Sequence, residues 1–293
     1  MSGVLQMLLG RGGAAVPSMP LDAFTANLVL AAGMHKLVSV ATSSFQARNT
    51  GGGLLNIGFV GGVYDAAAVT AHGGGTTVTV PTLYDQIGGQ NLTPVTAPAG
   101  PEIVTSGGVF WRGPRMVRGN TGTIPKTAVN IAAGAVGVTI FLKWAPGDIT
   151  GTGFHEVFGI GTSSSNGIHF AQNTESAGNF TARVCVNGSN RAGKGYPAAG
   201  LLTVMHVTCM RVTFGSPAVV KLWKDNVEQT FSGGTINAGT ATIASLVAAP
   251  LRLGHDFAAG NGQTFEMRDL AVYSAALSDA DCSAISTALM ALS

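Results

Sequence analysis

The sequence predicts an all-β sandwich with a few short helices, and three observations predict it. Short alternating segments separated by Gly, Ser and Asn turns fill the chain from residue 136 onward. Glycine accounts for 42 of 293 residues, about twice the usual share, with no tripeptide period, which excludes collagen and implies many tight turns. Hydrophobic residues make up 46% while charged residues make up only 10%, so there is ample core material, and solubility rests on Ser, Thr, Asn and exposed backbone. Such a lightly charged surface suits a protein packed against copies of itself or partners.

Taken in order, residues 1–20 read as an N-terminal arm, with Pro17 and Pro20 before the first periodic segment. Val4, Leu5, Met7, Leu8 and Leu9 give it an apolar character that favours docking on a neighbouring subunit. Residues 21–293 read as one domain. Asp22 in an N-cap position, followed by Phe24 and Leu28 near helical spacing, predicts a helix over 22–37. A second helix is expected from Tyr64 to His72, between Gly61-Gly62 and the run Gly73–Gly75. TTVTV then alternates, with Val78 and Val80 on one face and Pro81 at its end.

Strand patterns follow in VGVTIFLKW, EVFGIG, GIHFAQ and FTARVCV, the last ending at the hairpin dipeptide Asn187-Gly188. LLTVMHVTCMRVTF places His206, Thr208, Met210 and Val212 on one face, and Asp225-Asn226 is the turn of the next segment. A last helix is capped by Ser278, with Cys282, Ile285 and Leu289 as its apolar face.

The net charge of +2 gives no electrostatic case for nucleic acid as partner. No stretch approaches the roughly 18 apolar residues of a membrane helix, so no membrane insertion is expected. The apolar part of the N-terminus is too short for a signal peptide, which points to synthesis in the cytoplasm. Cys185, Cys209 and Cys282 are an odd set with no close pair, read as buried free thiols. The six histidines form no HxH or HxxxH pair, so no metal site and no cofactor is implied. His206 reads as a hydrogen-bonded sheet residue.

Two stretches carry a family resemblance. Trp223–Asn226, Leu251–Gly254 and Val272–Asp279 resemble the closing hairpins of concanavalin A-like, laminin-G-like jelly-roll sandwiches. Ile57–Phe59, Asp65–Ala67 and Tyr84–Thr93 resemble a segment of the arabinofuranosidase B-type catalytic domain that also occurs in tailed-phage structural proteins. Tyr84, Asp85 and Gln86 are read as a corner of the sandwich, since Asp side chains satisfy turn N–H groups.

The resemblance implies a test. A retaining glycosidase needs two carboxyl groups about 5–5.5 Å apart. Aligned on Phe158–Gly161, the family's nucleophilic Glu falls at Thr162, Ser163 or Ser164, and Ser163 is taken as the replaced position. Phe154-His155-Glu156 stands where the family has a vicinal Cys pair, and Glu156 taking the missing role is the minor alternative to its loss. The family's acid/base aligns with Asp256, a vestige, with Glu266 nearby. The expectation is therefore a protein that is not an enzyme.

The reading is a virion component of phage type, a head decoration, fibre or tail-associated protein. Its partners would be other virion proteins in a homo-oligomer, with host-surface carbohydrate as ligand. Trp111, Trp144 and Tyr196 are the expected exposed stacking aromatics, with Asp256 beside them. A calcium site at Asp256 and Asn261 is the superfamily's alternative for that loop. The competing readings are a carbohydrate-binding module made without a secretion signal and an active arabinofuranosidase-like hydrolase.

Overall fold

The computed structural model describes residues 19–95, 100–117, 120, 125–129, 135–149, 154–163, 166–172, 178–186, 189–215, 218–230, 249–254 and 262–293. The arm residues Val4, Leu5, Met7, Leu8 and Leu9, the Asn187-Gly188 turn, and Asp256 with Asn261 lie outside them.

In chain order the first strands are β1 (Leu28–Gly33), β2 (Ser43–Asn49), β3 (Leu54–Val60), β4 (Val63–Tyr64), β5 (Val78–Leu83), β6 (Thr93–Pro94), β7 (Glu102–Val104), β8 (Phe110–Met116) and β9 (Pro125–Val129). Then come β10 (Gly137–Pro146), β11 (His155–Ser163), β12 (Asn166–Gln172), β13 (Asn179–Val186), β14 (Ser189–Pro197), β15 (His206–Thr213), β16 (Val219–Lys224), β17 (Val227–Glu228), β18 (Ala249–Leu253) and β19 (Phe265–Tyr273). Two helices join them, α1 (Ala66–Gly73) and α2 (Asp279–Met290).

All pairings between these strands are antiparallel, as in a two-sheet sandwich. One sheet runs β17-β16-β15-β10-β19-β8-β7-β5-β2-β3-β4, with β1 joined to β19. The other runs β14-β13-β12-β11-β18-β9-β6. The first is the large sheet and the second the small sheet below.

Between the sheets lies an aromatic core. Trp144 of β10 meets Phe170, Phe180 and Phe265 edge-on at centroid distances of 5.7, 5.0 and 5.7 Å. The Trp144 Nε1–H donates to Thr208 Oγ1 at 2.9 Å, and Tyr196 OH shares the same hydroxyl at 2.9 Å. A buried indole and phenol thus keep their polar ends satisfied. Burial pushes the Tyr196 phenol well above its usual range.

The other face of the large sheet is covered too. Phe141, Val207, Cys209, Ala271 and Tyr273 point away from the aromatic core and meet Cys282, Ile285 and Leu289 of α2. Leu21, Leu37 and Val38 close the same cluster. The three cysteines are free and buried, as the sequence predicts. Burial lifts the Cys209 thiol well above its usual range, while a hydrogen bond from Cys209 holds Cys282 below it.

The helix ends follow their caps. Asp65 accepts from Ala68 N and opens α1, which stops at Gly74 in the left-handed region (φ 55°). Ser278 accepts from Asp281 N and opens α2. Asp225 and Asn226 both have positive φ (49° and 64°), the pattern of a type I′ hairpin turn.

One element differs from the sequence reading. Residues 22–37 do not form a helix: only Asp22–Phe24 makes a 3-10 turn, and β1 follows. Asn27 breaks the helical path at φ 62°. Leu28–Gly33 then finds a partner in β19, with Ala31 opposite Ala271 and Ala32 opposite Leu270. Pro81 also sits inside β5 rather than at its end.

Candidate functional site

The two sheets differ in what their outer faces carry. In the small sheet Ile160, Ile168, Phe170, Phe180, Ala182 and Val184 belong to the core. By strand alternation their neighbours point the other way. That outer set contains Gly159 and Gly161 on β11, Gly167 on β12, and Gly193 and Gly195 on β14. Register aligns them: Gly161 faces Gly167, Gly195 faces Thr181 and Gly193 faces Arg183. Glycine inside a strand forfeits packing and marks a place where something approaches the backbone closely.

Glu156 and His169 lie on this glycine floor. Their side chains are wholly buried, and Glu156 Oε1 meets His169 Nδ1 at 2.5 Å. A register shift between Glu156 and Phe158 brings the carboxylate over Gly159, which pairs with His169. A Cβ at Gly159 would stand 2.4 Å from Glu156 Oε1 and 3.2 Å from His169 Nδ1. Gly159 therefore makes the room in which the pair lies. A carboxylate sharing a proton with an imidazole is an acid–base couple. Arg183 reaches the same face, its guanidinium 4.6 Å from the Phe154 ring, and Arg252 stands on it opposite Gly159.

The flanks of the 255–261 segment meet this couple. Gly254 N donates to Val157 O at 2.7 Å, and Gln263 N donates to Glu156 O at 2.8 Å. Gly262 forms a bridge with Glu156. The chain thus departs and returns at the start of β11. Ser163 ends the same strand at its far end, paired with Asn166. Seven residues along a strand is roughly 23 Å. The described anchor of the segment that holds Asp256 is beside Glu156, not beside Ser163.

The expected stacking aromatics are corrected by burial. Trp144 and Tyr196 are 0% and 1% exposed and form part of the core, so neither offers a ring to a ligand. Their strands read as alternating, but alternation alone does not say which side faces the second sheet. Trp111 is half-buried and covered by the Arg115 guanidinium at 4.2 Å. Glu266 is buried and accepts from Arg112 N at 2.9 Å.

The YDQ stretch builds a corner. Asp85 Oδ1 accepts from Ala31 N and Ile87 N at 3.1 and 3.2 Å, and Oδ2 from Gln90 N at 3.2 Å. Gln86 takes Leu37 N at 2.7 Å and gives its amide to His35 O at 2.7 Å. Tyr84 OH donates to Asn56 at 2.6 Å. Burial raises the Asp85 carboxyl above the usual range despite these donors.

His169 was missed in the sequence. The signal present was the alternation Gly159, Gly161 and Gly167 around a hairpin, with a histidine one strand step from the last.

No family model and no curated protein matches the chain. Solved structures do. A GH54 α-L-arabinofuranosidase soaked with a cyclic sulfate inhibitor matches with TM-score 0.65 and 15% identity, covering 93% of this chain and 64% of its own. A glutamate-to-glutamine mutant of a GH54 α-L-arabinofuranosidase, soaked with 4-nitrophenyl α-L-arabinofuranoside, gives the same values. So does an arabinofuranosidase complexed with arabinofuranosyl-α-1,2-xylobiose. The chain spans just under two thirds of those structures. At 15% identity the likeness establishes the fold. It also overturns the expectation that the chain is not an enzyme, since structures that match nearly all of it are arabinofuranosidases.

Proposed function

We propose that the protein is a glycoside hydrolase that removes furanosyl sugars of arabinose type, with Glu156 as one of its two working carboxylates. The observation that carries this reading is the Glu156–His169 couple on the glycine floor, with the flanks of the 255–261 segment bonded to the Glu156 backbone. The sequence offers Asp256, two residues past Gly254, as the second carboxylate. That pairing replaces Ser163 with Glu156 in the dyad. His169 would orient the carboxylate and hold a proton on it, as an imidazole does beside a general acid or base. A floor of glycines suits a flat sugar ring, which needs close approach and few side chains.

As to setting, the virion reading stands as a proposal of its own, supported by the resemblance of Tyr84–Thr93 to phage structural proteins. The glycan would then be on the host surface and the protein a homo-oligomer. Mass spectrometry of purified particles tests it, and absence of the chain from them would end it.

The experiment for the activity uses 4-nitrophenyl α-L-arabinofuranoside and the full chain. Turnover is expected, falling by about 10³-fold or more in Glu156→Gln and in Asp256→Asn. Turnover by the parent chain that both variants retain would overturn the assignment of residues. No turnover of this or related aryl furanosides would overturn the activity.

A further inference from the structure

A cavity lies at one end of the large sheet. Four neighbouring strands bring to it His206 (β15), Lys143 (β10), Arg268 (β19) and Arg112 (β8), and the Asp225 turn and the end of α2 complete its wall. Its volume is about 450 Å³, within the ~300–1,000 Å³ of small-molecule sites. The chain has only 16 Lys and Arg residues, and three of them line this one cavity.

Each position has a structural cause. β10 and β19 run Lys143 opposite Asp269 and Trp144 opposite Met267, so Arg268 is the extra residue of a bulge. A bulge re-aims a side chain. On the edge of β19 away from β10, glycines of β1 and β8 let neighbours approach it closely: a Cβ at Gly33 would stand 2.7 Å from Arg268 O, and a Cβ at Gly113 would stand 1.7 Å from Met267 O. Lys143 donates to Leu289 O at 2.9 Å and also to Leu292 O, so it caps the end of α2. Burial pulls the Lys143 ammonium below its usual range.

The local carboxylates are committed inside the protein. Glu266 accepts from Arg112 N, and Asp269 from His35 N and Nδ1 at 3.0 and 2.7 Å. Asp225 accepts from Val207 N at 2.9 Å and from His206 Nδ1 at 2.7 Å. A carboxylate only accepts, so the His206 Nδ1 carries hydrogen. In the neutral ring Nε2 is then an acceptor. It is buried and has no partner, on a side chain only 9% exposed. Arg268 Nε is a buried donor likewise without a partner. Arg268 Nη2 and His35 Nε2 already hold the Ser293 carbonyl oxygen at 2.6 and 2.8 Å, the kind of atom this corner accepts. Met290 and Leu292 add an apolar wall.

From this juxtaposition we infer a binding site for a small hydroxylated carboxylate, a sugar acid, whose carboxylate meets Arg112 and Arg268 and whose hydroxyl donates to His206 Nε2. A bare oxyanion would leave the His206 acceptor unmet. A neutral sugar would set no negative charge against Arg112 and Arg268, which donate within the protein to carbonyl oxygens, Thr203 O and Ser293 O. The inference does not rest on hydrolysis at Glu156.

The test is a titration of the full chain with glucuronate, glucose and inorganic phosphate, followed by the ¹⁵N resonance of His206 Nε2 and by calorimetry. Glucuronate is expected to shift that resonance and to bind with Kd on the order of 1 mM. Glucose should do neither. The exposed Arg112 can be changed without disturbing the core, and Arg112→Gln should weaken glucuronate by about tenfold. His206→Phe should remove the preference for glucuronate over phosphate. An unmoved His206 resonance in the parent chain would overturn the proposal. So would phosphate binding as tightly as glucuronate, because the hydroxyl would then contribute nothing.

Discussion

Among the described residues, two histidine–carboxylate pairs have both side chains almost wholly buried, one at each sheet, and they differ in what surrounds them. His35–Asp269 is a joint. His35 N and Nδ1 both bond to Asp269, His35 Nε2 bonds to Ser293 O, and His35 O accepts from Gln86. It ties the segment after β1 to β19, the YDQ corner and the end of the chain's last helix. Glu156–His169 links adjacent strands of a hairpin and lies over glycines. Identical chemistry is structural where every atom is spent on holding elements together. The proposed reactive role falls on the pair that lies over a glycine floor.

The largest expected effect breaks the structural side. Gly113→Ala would place a methyl 1.7 Å from Met267 O, which is backbone and cannot swing away. We expect loss of folded protein, or a loss of about 3 kcal/mol or more in denaturant unfolding. Asp269→Ala comes next. It leaves the buried His35 N–H groups unmet and should cost about 3 kcal/mol, read as a lower urea midpoint with an unchanged slope. The smallest effect on stability sharpens the other side. Gly159→Ala pushes on the Glu156 carboxylate, the end of a side chain, so unfolding should move by about 1 kcal/mol or less while arabinofuranoside turnover drops steeply. Equal losses of stability in all three variants would erase the distinction between the two pairs.

Local chemistry was legible in the sequence where it acts locally. Ser278 as a cap, Gly73–Gly75 as a stop, Asp225-Asn226 as a turn and the α2 face of Cys282, Ile285 and Leu289 each depend on neighbours within a few residues. The YDQ corner followed from the same rule. Leu28–Gly33 was misread because its fate is decided by β19, and helical spacing over so short a span does not compete with a ladder of backbone hydrogen bonds. Trp144 and Tyr196 looked like exposed rings because composition cannot say which side of a strand meets a second sheet. The Glu156–His169 couple depends on a hairpin register and a local shift in it, and neither is written in residue types alone.

The β1–β19 pairing sets a schedule for biosynthesis. Leu28 lies opposite Tyr273, and Gly33 opposite Asp269. At about 5–20 residues per second, a ribosome needs on the order of 10–50 s to travel between the two strands. For that interval the apolar segment Leu28–Gly33 has the edge that β19 will take left open, a template for pairing with another nascent chain. Much of the large sheet must wait with it, since β10 also takes β19 as a neighbour. Yield of native protein should therefore depend on chaperone supply and on expression rate more than on equilibrium stability.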